Sequence, residues 1–424
     1  MSAINQPTAP TAKAKERYSA FTALRHRDFR LLWLGQIVSV TGSQMQLAAV
    51  NWHVYLITKS AFAVGLVGFF RGAPIILCSL AGGVVADAID RKRLMMVTQT
   101  AMLLSAACLT IVTLAGLNHV WPIYLLTGIA AAATALDTPA RQSLMPTLVP
   151  ARDFPNAVSL GVVVFYIAMI GGPSLTGFLL ASHGPALVYG INAVSFIAVI
   201  AALVAMRAGG CPAGNGASSP RLGLGALQEG LRFVRGTPII VQTMTLDFVA
   251  TFFASATSLL PIFALEILHV GARGFGFLSA APAVGAVITG LIMARIGTFR
   301  RQGQLVIWSV AVFGLATLAF GLSRVFWLSL LLLAIMGAAD TVSTVLRQTI
   351  RQLATPDYLR GRMTSINMVF FMGGPQLGEV EAGAVASLIG APLSVVVGGV
   401  GSVLAAAIAL LKAKSLVNYD VEAS

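Results

Sequence analysis

Long apolar runs and short polar breaks alternate along the whole of this 424-residue chain. The runs last twenty or so residues. A helix rising ~1.5 Å per residue then crosses a ~30 Å hydrocarbon core. The breaks are sharpest at GGVVADAIDRKR, Gly82 to Arg93, where an apolar run ends in two aspartates and three consecutive bases. The chain turns apolar again at once, at LMMVTQTAMLLSAACLTIVTLAG. This alternation predicts twelve helices, over 30–57, 62–86, 94–116, 121–145, 155–181, 185–206, 238–267, 274–295, 303–322, 326–353, 360–388 and 391–411.

Composition turns these helices into membrane spans. Residues are 57% hydrophobic and only 10% charged, against ~25% charged in an average soluble domain. So few charges cannot cover a soluble surface, but lipid can solvate the rest. The net charge of +13 does not indicate a nucleic-acid partner, because the bases form no single basic face. They lie in the breaks. With the N-terminus in the cytoplasm, all of the 28 bases except Lys59, Arg71, Arg273 and Arg324 fall on the cytoplasmic side. That asymmetry predicts a multi-pass membrane protein with both termini cytoplasmic. The polar and basic N-terminal segment leads straight into a long span, and no secretory signal is expected. Trp52, Tyr55, Trp121, Tyr124 and Trp327 fall at expected outer ends, where amphipathic rings favour the interface. Cys78, Cys108 and Cys211 show neither metal spacing nor a disulfide framework; the first two are expected as small buried residues.

Residues 207–237 break the pattern. Gly, Ser, Pro and Ala make a flexible linker there, and ALQEGLRFVRG has the amphipathic pattern of a surface helix. The expected plan is a cytoplasmic segment (1–29), a six-helix bundle (30–206), the linker (207–237), a second bundle (238–411) and a tail (412–424). The bundles resemble each other. At an offset of 208, Gly68 meets Gly276, Phe69 meets Phe277, Ala73 meets Ala281, Pro74 meets Pro282 and Gly82 meets Gly290. GGPSLTG has an echo in GGPQLGE. Two six-helix halves around a midplane site is a transporter plan.

At this point the chain resembles the major facilitator superfamily along nearly its whole length. The break after the second span is similar to that superfamily's loop motif, with Gly83, Asp87, Arg91 and Arg93 in matching positions and departures at Ala88 and Asp90. FRLLWLGQIVSVTGSQM, TPARQSLMPTLVPARDFPNAVSL and TPDYLRGRMTSIN resemble the branch of enterobactin (siderophore) exporters and related drug and macrolide efflux proteins. The fifth span resembles the antiporter motif, with Gly172, Pro173 and Gly177 in place and Ser159 and Ala168 where glycines are expected. The resemblance implies an all-α membrane protein of major facilitator fold, with twelve transmembrane helices in two pseudo-symmetric six-helix bundles. It also implies export. Gly83, Asp87, Asp90, Arg91 and Arg93 then become candidates for a cytoplasmic latch between the halves, beside their role in setting topology.

Ionisable residues inside spans cost ~2.5–3.5 kcal/mol at the bilayer centre on insertion scales, so each is a functional candidate. Asp137, Asp247 and Asp340 lie on spans four, seven and ten, which by resemblance line the central cavity. A carboxylate out of water holds a proton more readily, as proton-coupled exchange requires. The structural alternative is a permanent ion pair, available to Asp137 with Arg141 and to Asp340 with Arg347. Asp247, ~14 Å into its span, has no base nearby in sequence. Arg71 lies ~13 Å from the outer end of span two and Glu379 at similar depth on span eleven. By resemblance those spans face each other, so Arg71 with Glu379 or Glu381 is the expected outer gate; the alternative is that Arg71 snorkels. Arg141, Arg347, Gln44 and Tyr166 are further candidates for the cavity and its inner end. Glu266 and Lys59 are expected in water near the outer edge, and His53 at the interface.

No GxxxxGK[ST] loop, HExxH or GxSxG occurs in the chain, so neither an ATPase nor a hydrolase is expected. No metal or cofactor is expected, and the proton gradient is the expected energy source. The expectation is a monomeric exporter of a siderophore or related small molecule. A multidrug pump of the same fold and a membrane receptor without flux remain open.

Overall fold

The computed structural model describes residues 21–88, 90–117, 119–207, 224–297, 299–356 and 359–420. Among them there are helices and no strands. The first half holds α1 (Arg27–Thr58), α2 (Ala61–Ala88), α3 (Arg91–Leu114), α4 (Val120–Leu148), α5 (Phe154–His183) and α6 (Pro185–Ala205). After the linker comes the short helix α7 (Leu224–Gly236). The second half holds α8 (Pro238–Phe253), a single turn α9 (Leu260–Ile262), α10 (Gly271–Ile296), α11 (Gln302–Leu322), α12 (Phe326–Leu353), α13 (Arg360–Ile389), α14 (Ala391–Lys412) and the short α15 (Lys414–Val417). The twelve spans are α1–α6, the α8–α9 segment and α10–α14. Ten of them are long and apolar enough to cross a bilayer. The other two, α1 and α13, are as long and carry more polar residues.

Several helices outrun the expected limits. α1 starts at Arg27 and α3 at Arg91. A base marks where the chain leaves lipid, not where the helix stops. Asp90 caps α3, its carboxylate accepting from the Arg93 N–H at 2.9 Å, as an N-cap aspartate does. Gly184 (φ +73°) and Gly390 (φ +87°) open the paired turns into α6 and α14. Both take a left-handed conformation that a side chain disfavours, and Pro185 or Pro392 follows in the first helical turn.

The seventh span is expected as one helix over 238–267 and is broken. α8 ends at Phe253, a 3-10 turn covers Ala256–Leu259, and a π turn covers Phe263–Ile267. Pro261 lacks an N–H and its ring crowds the Thr257 carbonyl four residues back, within the 3-10 turn that follows the end of α8. Freed carbonyls of the span find hydroxyl partners, Ser255 donating to Thr251 and Ser258 to Ser255, and Ser255 also reaches the Pro375 carbonyl of α13.

Lipid offers no hydrogen bonds, so hydroxyls inside spans bond their own helix. Ser43 donates to Ser39, Thr58 to Val54, Thr110 to Ala106 and Thr251 to Asp247, each to a carbonyl four residues back at 2.7–2.9 Å. Large apolar side chains such as Leu77, Val97, Trp121, Trp327, Leu388 and Leu411 stand exposed on the outside. Cys78 is half-buried and Cys108 exposed, against the expectation that both are buried; an apolar thiol sits as well against lipid as in a core. Cys211 lies outside the described residues.

Two faces can be told apart. One carries the basic turns near residues 90, 150, 300 and 355 and the linker; the other, the far face, carries the turns near 60, 117, 184, 270, 324 and 390. A single core cluster, including Val54, Val64, Tyr189, Phe263, Phe275 and Ala382, runs through both halves near the far face. Towards the basic face the core clusters among the described residues are separate, one in the first half and two in the second. The halves join along two seams, α2 with α13 and α5 with α10.

Within the second half, α10 and α12 touch backbone to backbone. A Cβ on Gly285 would stand 1.8 Å from the Ala334 carbonyl oxygen, and one on Gly337 1.9 Å from that of Pro282. Gly285→Val or Gly337→Val is expected to lower the melting temperature of the purified protein through overpacking of ~1–3 kcal/mol or more. Gly290→Val, with nothing within 4 Å of the added Cβ, should leave it unchanged.

Candidate functional site

On the α2–α13 seam, glycines on one helix seat polar side chains of the other. Gly68 and Gly72, one turn apart, face Glu379 and Gln376 of α13. A Cβ on Gly68 would stand 2.6 Å from Glu379 Oε2, and one on Gly72 2.7 Å from Gln376 Cβ. The structure brings Arg71 to Glu379 here, Nη1 to Oε1, at 4.0 Å, with side-chain exposures of 21% and 13%. That distance is an ion pair, not a hydrogen bond. Glu379 Oε2 and Gln376 Oε1 have no hydrogen-bond partner among the described residues. Glu381 is half-buried two residues further on; positions i and i+2 point apart on a helix, and no ion pair joins it to Arg71.

Nearer the far face the seal continues. The Tyr55 hydroxyl donates to Glu266 across the halves. Trp52 lies 5.0 Å from Phe275, centroid to centroid. Trp52, Tyr55 and Tyr124 are all buried, while Trp121 and Trp327 are exposed. The aromatic belt expected from the sequence is therefore only partly a belt. A ring near a span's end suits lipid headgroups and an inter-half contact equally well, and the sequence does not separate them. Glu266 is exposed yet bonded rather than simply solvated. His53, expected at the interface, is buried against the Tyr189 hydroxyl at 3.2 Å.

A second cluster lies inside the second half. Asp247 Oδ1 lies 2.7 Å from Arg347 Nη2 and Oδ2 4.0 Å from Arg351 Nη1. All three are buried. Arg347 also donates to the Ser343 and Thr344 hydroxyls. This corrects two expectations. Asp247 is paired, by a base a hundred positions along the chain, and Arg347 and Arg351 are buried partners instead of charges marking the cytoplasmic edge. Asp340, half-buried, feels both Arg347 and Asp247 without an ion pair of its own among the described residues. The spacing held a clue: Asp340, Thr344, Arg347 and Arg351 share one face of α12.

In the first half Asp137 is buried and accepts from the Thr98 hydroxyl at 2.9 Å and the Gln99 amide at 3.0 Å. Arg141 donates instead to Gln36, so the suggested Asp137–Arg141 pair is not a direct contact. Of the latch candidates, Asp90 is a helix cap, Arg91 donates to the Ser143 carbonyl at 3.0 Å, and Arg93 is exposed. These contacts stay within the first half, so they do not join the halves. The side chains of Gly83 and Asp87 lie outside those described.

The antiporter-motif residues sit where helices touch. A Cβ on Gly172 would lie 2.7 Å from Gln44 Cβ of α1. Gly177 meets Gly276 across the α5–α10 seam, a Cβ on Gly276 standing 2.8 Å from the Gly177 Cα, and the Pro173 carbonyl faces the same glycine. Tyr166 is half-buried with its ring edge-on to Phe165. Gln44 and Arg71 line a cavity of about 160 Å³ in the first half. Among the described residues no cluster of three or more His, Cys, Asp or Glu is placed to hold a metal.

Two helical halves, joined at one face and holding buried charge between and within them, define a membrane transporter of the major facilitator fold. A family model described as transmembrane secretion effector matches residues 18–423, and the chain belongs to that family. It is 26% identical over 387 residues to the enterobactin exporter EntS of Citrobacter koseri, covering 91% of this chain and 92% of that protein. The same figures hold for the protein of that name from Shigella boydii. The fold is similar to the nucleoside transporter NupG, with a TM-score of 0.68 and 15% identity over 92% of this chain and 99% of that one. A bacterial homologue of the iron transporter ferroportin in an inward-facing state gives 0.67 and 15%, over 93% and 99%.

Removing one partner of a buried pair leaves the other charge unpaired, at ~3–5 kcal/mol. Asp247→Ala is therefore expected to lower the melting temperature of the purified protein markedly. Removing both charges, as Asp247→Ala with Arg347→Met, should recover part of the loss.

Proposed function

We propose that this protein exports a siderophore or a related small molecule across the bacterial inner membrane by alternating access, exchanging it for protons. The basic face is cytoplasmic in this reading, as the distribution of Lys and Arg favours. One observation carries it: the halves share a core near the far face and a half-buried Arg71–Glu379 contact, while among the described residues their cores are separate towards the basic face. That is the arrangement of a cavity open to the cytoplasm and closed outside. The names of the curated relatives supply the substrate class. The antiporter-like glycines of α5 favour exchange, and the protein acts as a monomer.

In this reading Arg71 and Glu379 form the outer gate, with Tyr55–Glu266 beyond it. Cargo enters from the cytoplasm, the gate contact breaks, and the halves tilt until the far side opens. Asp247 is held by Arg347, so the proton falls to Asp340, which lies beside that pair and is not locked in it. Asp137 is the counterpart in the first half.

The test is transport in proteoliposomes under an imposed pH gradient, with enterobactin as the first cargo. Uptake into inside-out oriented vesicles that follows the gradient supports the reading, and a cargo that moves no protons removes the exchange mechanism. Arg71→Glu and Glu379→Arg should each reduce transport about tenfold or more, as loss of a buried charge contact predicts. The double exchange should recover most of it, and no recovery removes the gate. Broad drug resistance on expression, without a change in secreted iron chelator, would favour the multidrug alternative.

A further inference from the structure

The first half contains a cavity that the gate alone does not explain. It measures about 160 Å³ and lies among α1, α2, α3, α4 and α6. Dry cavities of roughly 150 Å³ hold one benzene ring, so this one admits a group of one six-membered ring. It is not dry. Gln44, Thr127 and Asn192 line it with neutral hydrogen-bonding groups, Met102 and Phe196 give apolar contact, and Arg71 is the one charged residue on its wall among those described.

Two observations mark it as a ligand site. Thr127 is 7% exposed, and its hydroxyl has no hydrogen-bond partner among the described residues; a buried polar group without a partner carries a desolvation cost that a ligand can remove. Arg71 is the second. Its guanidinium offers five N–H donors, and the contact with Glu379 at 4.0 Å is too long to be a hydrogen bond. Glu379 Oε2 is also unpartnered. Each charge at the seam is thus neutralised by the other while its hydrogen-bonding capacity is left open.

We propose that this cavity seats one ring-sized oxyanionic group of the cargo, a benzoate- or phenolate-type ring, which Arg71 holds in exchange for Glu379. The proposal rests on the export reading and names its substrate class. A carboxylate or phenolate oxygen at hydrogen-bond distance outcompetes a carboxylate held at 4.0 Å, because charge-assisted bonds strengthen as they shorten. The ring lies between Met102 and Phe196, and the Thr127 hydroxyl gains its missing partner. Arg71 turns towards the cavity, Glu379 loses its counter-ion, and the α2–α13 seam loses the charged contact it has among the described residues. Cargo binding in the first half thereby loosens the outer gate.

Equilibrium binding tests this apart from transport. The full-length protein in nanodiscs is titrated calorimetrically with benzoate and with benzamide, a neutral molecule of the same shape. Benzoate is expected to bind about tenfold or more tightly than benzamide. Arg71→Gln should abolish that preference, and Thr127→Val should weaken benzoate about fivefold while keeping the preference. Glu379→Gln removes the competitor and should tighten benzoate about threefold or more, a sign opposite to that of a merely structural change. Equal binding of the two probes, no binding of either, or weaker benzoate binding in Glu379→Gln would overturn the proposal. Should Arg71→Gln fail to fold, the wild-type preference and the other two variants decide. Proton-linked export without benzoate binding would remove this inference and leave the export reading standing; benzoate binding without proton-linked export would do the reverse.

Discussion

Lipid satisfies no polar group, and every feature of this protein is an answer to that constraint. Backbone N–H and C=O groups close within helices. Hydroxyls fold back on their own helix. Where the seventh span breaks, Ser255 and Ser258 take up freed carbonyls. Polar groups that cannot be satisfied within one helix must meet across helices, and those meetings place the candidate sites. Asp247 with Arg347, Asp137 with Thr98 and Gln99, and Asn192 with Gln46 are three of them.

Without a hydrophobic drive between helices in lipid, close backbone approach has to supply contact. The two inter-half seams are built that way, and they are not equal. Gly276 matches Gly68 at the offset of 208, and Gly177 stands in GGPSLTG where Glu379 stands in GGPQLGE. Both seams have glycine on glycine, Gly177 with Gly276 and Gly65 with Gly383; the α2–α13 seam adds glycine on glutamate, with Arg71 one turn away. The duplicated scaffold is symmetric in packing and asymmetric in charge. In the proposed cycle the Arg71–Glu379 pair on the α2–α13 seam is where a ligand or a proton would act.

The spans, their order and the two-half plan were legible because length and apolar content suffice to define a crossing. That Arg71 and Glu379 stand at one height was legible too, since helical rise converts sequence position into height. Which residue meets which was less so. Asp247 and Arg347 are joined only by how α8 and α12 pack, and a base near a span's end looks the same whether it faces water or a buried carboxylate. His53 and Trp52 were misplaced for the same reason: height along a helix was known, direction around it was not. The broken seventh span was hidden because Pro74, Pro139, Pro173, Pro282 and Pro375 lie within helices that continue.

Alternating access needs rigid halves and a yielding joint, and the charge contacts are graded accordingly. Inside the second half, Asp247 and Arg347 meet at 2.7 Å with further bonds from Ser343 and Thr344. Between the halves, Arg71 and Glu379 stand at 4.0 Å with an oxygen unpartnered. A short, fully buried pair is costly to part, because separation leaves both charges in low dielectric. A longer pair beside a polar cavity parts more readily, since the cavity offers Arg71 other acceptors. In the proposed cycle the same interaction would fix the body of one half and leave the gate between the halves free to open, with distance and surroundings deciding which it does.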